Sequence, residues 1–326
     1  MRGDRLLLAH GSGGKLSAEL IQEVFVPAFG NPALARMDDS AILPLPREAA
    51  NPPLPLGEGR GEGKAPRLAM TTDSHVVKPL FFDGGDIGRL AICGTVNDLS
   101  VVGATPLYLS AGFVLEEGLP IADLRRVVES MKLAAEEAGV FVVTGDTKVV
   151  EQGSADGLYV TTTGVGIVPE GIDISGSNAC EGDVVLLSGT IGDHGIAVLS
   201  KREGLEFGSP VASDVAPLNR MVAAMLEVAP HIHAMRDPTR GGLATTLNEF
   251  AAQSGVAIQI EEGQIPVRPA VQAACEMLGY DPLYVANEGK LVAILPEQEA
   301  EAALSAMRRT RYGEEARIIG RVLAAP

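Results

Sequence analysis

The sequence predicts a two-domain chain of mixed strands and helices, on three observations. Its 326 residues exceed one ordinary domain and leave room for a sizeable core. Strand-like apolar runs alternate along the chain with helix-spaced segments. A polar connection over 169–181, followed by a fresh apolar strand, divides the chain into 1–168 and 169–326. Glycine, at 38 residues, is over-represented, which suits tight strand–helix turns and close backbone approach to a ligand.

Composition excludes several classes. The net charge of −16 opposes contact with a phosphate backbone, so no nucleic acid partner is expected. No apolar run is long enough to span a membrane, and the opening residues lack the apolar core of a signal peptide. The cytoplasm is the expected compartment. Cys93, Cys180 and Cys275 are far apart, form no C-x-x-C pair and have apolar or small neighbours, so they read as buried, inert thiols.

The N-terminal stretch His10-Gly11-Ser12-Gly13-Gly14-Lys15 has two readings, a flexible terminus or a phosphate-wrapping turn. It lacks Walker A spacing. Helical spacing runs from Leu16 to Phe29, with Ser17 able to cap it. Asp38-Asp39 then enters a short strand at 40–45. Taken alone the pair reads as a plain acidic turn. As an ion site only one carboxylate could meet a given ion, because neighbouring strand side chains point to opposite faces. Residues 46–66 are a low-complexity Pro/Gly/Glu/Arg insert joining that strand to the next, at 67–77.

The central stretch is Met70–Pro106. A strand delivers Asp73, a Gly-rich turn covers 83–86, and an apolar helix carries Asn97-Asp98. One or two carboxylates beside substrate phosphates is the usual way to hold Mg²⁺. A strand at 107–117 and a helix from Pro120 to Ala138 follow, the helix stopped by Gly139. Val140–Val143 reads as a buried strand ending in Thr144-Gly145-Asp146-Thr147-Lys148. That end is either a hairpin turn or a carboxylate and lysine facing metal and phosphate. A Thr-rich strand spans 158–168.

In the second half, the strand at 183–189 turns through His194 into a helix ending near 203. His194 reads as capping or packing more readily than as catalytic. A second helix is expected over 213–228, opened by Ser213-Asp214. Arg236-Asp237-Pro238-Thr239-Arg240-Gly241-Gly242 opens another, whose free backbone N–H groups favour an anion. Asn287-Glu288 precedes the strand at 291–295, where Glu288 is either an exposed loop carboxylate or a base within reach of a substrate N–H. The remaining elements are a strand at 256–260, helices at 268–278 and 297–309, and a last strand at 316–323.

Taken in order, HGSGGK, TTDS with TVNDL, TGDTK, and RDPTRGG with ANEGK resemble the HypE family of hydrogenase maturation factors. These are carbamoyl dehydratases of the aminoimidazole-ribonucleotide-synthetase-like (PurM-like) superfamily. The resemblance covers nearly the whole chain apart from the insert. It implies an α/β two-domain fold, with the N-terminal domain pairing into a homodimeric β-barrel and a C-terminal α/β domain covering the site. It implies ATP and Mg²⁺, and ATP-dependent dehydration of a cysteine S-carboxamide to a thiocyanate, the source of cyanide for [NiFe]-hydrogenase. The implied partners are the carbamoyltransferase HypF and a HypC–HypD scaffold.

The same resemblance gives Asp38, Asp39, Asp73, Asp98 and Asp146 to metal or phosphate positioning. It gives Lys15, Gly13, Gly14, Asp73, Asn97, Gly145, Thr147, Arg240, Gly241 and Gly242 to ATP and phosphate. It gives Glu288, Asn287 and Lys148 to catalysis. Family members end in a Pro-Arg-Ile-Cys-like tail, whereas this sequence stops at Ala324-Ala325-Pro326. The substrate thiol is therefore expected on residues beyond these or on another chain. A selenophosphate synthetase, which would place a reactive Cys near the Gly-rich start, a thiamine-phosphate kinase and a tail-less ATP-binding scaffold are the alternatives.

Overall fold

Two five-stranded sheets carry the chain. The computed structural model describes residues 38–44, 66–205 and 211–325, with Lys15, Ala18, Glu19, Gln22, Glu23 and Arg36. Gly13, Gly14, most of the expected first helix and nearly all of the insert lie outside the described residues.

The first sheet has the order β1-β2-β7-β5-β6, formed by β1 (Ala41–Pro44), β2 (Arg67–His75), β5 (Thr105–Glu116), β6 (Phe141–Val150) and β7 (Leu158–Val168). All neighbours are antiparallel except β5 and β6. A two-stranded ribbon, β3 (Phe81–Phe82) and β4 (Gly85–Asp86), leads into helix α1 (Ile87–Val101). Asp86 caps α1 by accepting from Gly88 N at 2.7 Å and Arg89 N at 3.1 Å, satisfying two of the first-turn donors. Nearly every α1 residue is buried, because the helix packs both on this sheet and against the other half of the chain. Helix α2 (Ile121–Ala138) lies beside it and ends at Gly139, whose φ of 76° fits the left-handed C-terminal position.

The second sheet has the order β10-β12-β8-β11-β9 and is antiparallel throughout. Its strands are β8 (Val184–Leu187), β9 (Ala234–Arg236), β10 (Val256–Ile260), β11 (Val292–Leu295) and β12 (Arg317–Ala324). β8 and β11 are buried along their whole length, as their unbroken apolar runs require. Around the sheet pack α3 (Asp193–Glu203), α4 (Asn219–Val228), α5 (Gly242–Ser254), α6 (Pro269–Leu278) and α7 (Glu297–Arg308).

Two expectations need correction. The helix expected over 213–228 starts only at Asn219. Residues 211–218 instead form an extended strap, since Pro217 disfavours a helical residue before it. The strap is held by Asn97, fully buried on α1, which accepts from Leu218 N at 2.8 Å and donates to Ala216 O at 3.0 Å.

The strand expected to be buried at 140–143 runs on to Val150, and Phe141 through Val149 are exposed. It is the edge of its sheet, paired on one side only by β5. An apolar β-branched run reads the same whether its own chain covers it or not.

Candidate active site

A cleft of about 740 Å³ opens between the two halves. β2 contributes Thr71, Thr72, Asp73 and His75, and α1 contributes Gly94 and Asp98. The β9–α5 turn adds Asp237, Thr239 and Arg240; the start of α3 adds His194; the turn before β11 adds Glu288. Asp39 reaches in from the start of β1.

The cleft is rich in carboxylates, and they perturb one another. Asp98 is held well above the ordinary Asp range by burial and then by the charges of Asp237, Asp39 and Asp73. Burial and Asp39 push Asp237 up to about 8. Asp39 is also raised by burial, although Arg236 opposes this through a 2.9 Å hydrogen bond. Arg236 in turn bonds Glu249, so one guanidinium ties β9 to both Asp39 and α5. Thr71 Oγ1 donates to Asp98 Oδ2 at 2.8 Å and to Asp39 O at 3.0 Å.

These oxygen donors suit a hard cation such as Mg²⁺. Among the described residues, no three of these carboxylates converge closely enough to cage an ion alone. An ion here would therefore need further oxygens from a ligand, the pattern expected with a phosphate chain.

Glu288 stands apart chemically. Burial raises its carboxyl well above the ordinary Glu value, with Asp237, Asp214 and Asp73 adding to the effect and Arg240 opposing it. Its backbone N donates to Asp214 Oδ1 at 3.1 Å, and Lys290 lies 3.6 Å from Asp214 Oδ2. His194 Nε2 is 4.0 Å from Glu288 Oε1, while His194 Nδ1 meets Ser213 Oγ at 2.9 Å. The His194 ring stands edge-on to Phe82 at 5.4 Å, and burial lowers its pKa. It therefore packs, as its sequence context suggested, yet also lines the cleft.

Residues 38–168 match the model of the AIR synthase related protein N-terminal domain, and residues 181–326 match that of the C-terminal domain. The carbamoyl dehydratase HypE of Cupriavidus necator is 56% identical over 323 residues, covering 99% of this chain and 87% of that protein. The chain belongs to the HypE family of carbamoyl dehydratases. A crystal structure of a HypE–HypF complex superposes with a TM-score of 0.84 at 49% identity, over 94% of this chain and 93% of that one. A HypE crystal structure in complex with ATP gives 0.77 at 51% identity, over 98% and 90%. The PurM-like fold expected from the motifs is thus that of the family.

Within this HypE-family fold the residues singled out from sequence separate. Asp39, Asp73, Asp98, Arg240 and Glu288 share the cleft. Asp38 does not: its side chain is buried, accepting from Ser175 Oγ at 2.9 Å, Gly176 N at 3.1 Å and Arg36 Nε at 2.8 Å. Adjacent strand-entry residues point to opposite sides, and Asp39 is the one turned inward. Asn97 and Asn287 are fully buried and occupied with backbone groups. Asn287 accepts from Gly192 N at 2.8 Å and donates to Pro238 O at 2.8 Å, so it positions the turns around Glu288 rather than touching a ligand. Gly241 and Gly242 have φ of 83° and 63°. A Cβ on Gly242 would lie 2.5 Å from Leu283 O, so glycine there permits the close approach of α5 to the Glu288 turn.

Gly145, Asp146, Thr147 and Lys148 lie on exposed β6, outside the cleft. There Lys148 Nζ pairs with Asp146 Oδ2 at 2.6 Å, both side chains in solvent. Lys15 is also exposed and faces Glu19 at 3.9 Å. Asp237, Asp214 and His194 are cleft or cleft-supporting groups that residue spacing left out. Asp237 was visible within RDPTRGG, whereas Asp214 was marked only as part of a helix cap.

Proposed function

We infer that the chain performs the carbamoyl dehydration named for its relatives, using ATP to convert a cysteine S-carboxamide into a thiocyanate for [NiFe]-hydrogenase maturation. The observation that carries this reading is the pairing, in one cleft, of an acidic cation-seeking wall with a desolvated glutamate. Phosphoryl transfer needs positioning and charge neutralisation. Dehydration of an amide also needs a base for its N–H protons.

In this mechanism the amide oxygen attacks the terminal phosphorus of ATP. An O–P bond forms and the bond to ADP breaks. The nitrogen gives up its two protons and the C–O bond breaks with phosphate departing, which leaves S–C≡N. Glu288 is the proton acceptor, its raised pKa matching it to a weakly acidic N–H. Asp39, Asp73, Asp98 and Asp237 would hold Mg²⁺, which supplies charge neutralisation at the phosphates. Arg240 and the N-terminal end of α5 at Gly241-Gly242 face the anionic end.

A HypF-type carbamoyltransferase is the supplier of the carbamoyl group in this reading, and a HypC–HypD-type scaffold the acceptor. The division at 168/169 is supported by the change of sheet at that point. To test the activity, a peptide ending in S-carbamoylcysteine is added with Mg·ATP. The expected result is ADP release matched by a loss of one water from the peptide; nucleotide binding without peptide-dependent turnover would favour a scaffold instead.

The bare β6 edge supports a homodimer. Phe141, Val143 and Val149 are each at least half exposed on an unpaired edge, a surface that folded proteins cover. A second copy closing over it would set Asp146, Thr147 and Lys148 at the seam between protomers. Sedimentation equilibrium should show a dimer, and Val143→Lys a monomer with little turnover; a monomeric wild-type protein at full activity would remove the dimer from the mechanism.

A further inference from the structure

Outside the cleft, Cys180, Asp183 and His233 come together where the 169–181 connection meets β8 and β9. None of them lines the cleft. Cys180 Sγ, a carboxylate oxygen of Asp183 and a ring nitrogen of His233 all lie within 4.8 Å of one another. Asp183 is buried, and its Oδ2 accepts from Cys180 N at 2.8 Å and faces His233 Nδ1 at 2.7 Å. Contrary to the burial expected of all three cysteines, the Cys180 thiol is at the surface, where it donates to Asn178 O at 3.4 Å; Cys93 and Cys275 are buried as expected.

The backbone holds these groups in place. Gly182 N donates to Val322 O at 3.0 Å, and Val322 N donates back to Asp183 O at 2.9 Å. Asp183 N closes a tight turn on Cys180 O at 3.1 Å, and His233 N is fixed to Ile294 O at 2.9 Å. Asp183 and His233 are thus anchored to the second sheet, and the turn ties Cys180 to Asp183, the rigid support a metal site needs.

We propose that Cys180, Asp183 and His233 form a binding site for one borderline-soft divalent cation of the zinc class. The donor set is the argument. A thiolate with an imidazole and a carboxylate suits Zn²⁺ and its neighbours and does not suit Mg²⁺, which prefers oxygen alone. Three protein ligands and a water complete a tetrahedron. Binding releases the thiol proton. The imidazole stays neutral, its proton passing through solvent from Nδ1 to Nε2 so that Nδ1 can ligate. Two anionic ligands balance the dication.

Tetrahedral Zn–N and Zn–O bonds of about 2.0–2.2 Å separate their ligand atoms by roughly 3.3 Å, so the present 2.7 Å contact between His233 and Asp183 needs only a small opening. The ion would pin the connection to the second sheet. Ser175 on that connection donates from N to His233 O at 3.0 Å and from Oγ to Asp38 Oδ1 at 2.9 Å. The site therefore lies one hydrogen-bond chain from the strand entry that carries Asp39.

Co²⁺ is the probe. The other two cysteines are fully buried, so a thiolate-to-cobalt charge-transfer band reports Cys180. The expected result is one equivalent of Co²⁺ with that band, displaced by Zn²⁺ but not by excess Mg²⁺. The band should vanish in Cys180→Ser, and His233→Gln should weaken binding at least about tenfold. A missing band, a band that survives Cys180→Ser, or equal affinity in His233→Gln would each overturn the proposal. On the unmodified protein, Zn²⁺ should slow alkylation of Cys180 by iodoacetamide, and an unchanged rate would count equally against it.

Discussion

Replacing Glu288 with glutamine is expected to lower the dehydration rate by about 10²–10⁴-fold, the usual contribution of a positioned base. That is roughly 3–5 kcal/mol of transition-state stabilisation. Nucleotide affinity should change little, because glutamine keeps the shape and removes only the proton acceptor. The wild-type enzyme carries its own control in its pH profile. A base must be ionised to act, and burial has raised the Glu288 pKa well above its ordinary value. Activity should therefore rise with pH along a limb displaced upward from the ordinary Glu range, and Glu288→Gln should lose that limb. If the variant kept turnover and the same limb, the base would lie elsewhere, with His194 the nearest other candidate at 4.0 Å.

Asp98→Asn should act in two opposite directions. With Mg·ATP present, turnover should fall at least about a hundredfold, since in the proposed mechanism this carboxylate would help hold the cation that neutralises the phosphates. Without divalent cations the same change should stabilise the fold, by an amount of order 1 kcal/mol or a few degrees in Tm. The reason is the raised folded-state pKa of Asp98, caused by burial and three neighbouring carboxylates. A group whose folded pKa lies above its unfolded value adds stability below the unfolded pKa, and that stability is lost as pH rises through the folded one. The cation-free protein should therefore lose stability as pH rises from mild acid toward about 8, where Asp237 also ionises. Asp98→Asn should flatten that decline. Thermal melts across pH in EDTA and in Mg·ATP would check it; destabilisation of the cation-free variant would show that Asp98 is not strained by its neighbours.

Much of the element order was legible because periodicity survives in the sequence. β7 alternates buried and exposed residues, α1 is apolar on all sides, and Gly139 marks the end of α2. The strand carrying Asp73, the helix carrying Asp98 and the turns carrying Arg240 and Glu288 were readable for the same reason. What sequence could not show was direction. A carboxamide looks the same whether it faces a ligand or, as Asn97 and Asn287 do, fills its bonds with backbone. An apolar strand looks the same on an open edge as in a core, which is why β6 took Asp146 and Lys148 out of the cleft. Asp214 read only as part of a helix cap, because Ser-Asp before a helical run normally is one. Here Pro217 delays the helix, and Asp214 is left to support the Glu288 turn.

Asn97 has a wider consequence. Besides its two bonds to the strap, its side chain donates to Glu288 O at 3.3 Å. The helix bearing Asp98, the strap and the turn bearing Glu288 are thus bolted to one buried amide, and the gap between acidic wall and base is set when the chain folds. In the proposed reaction the substrate amide would then have to meet both Glu288 and the acidic wall at a spacing that the protein has already fixed.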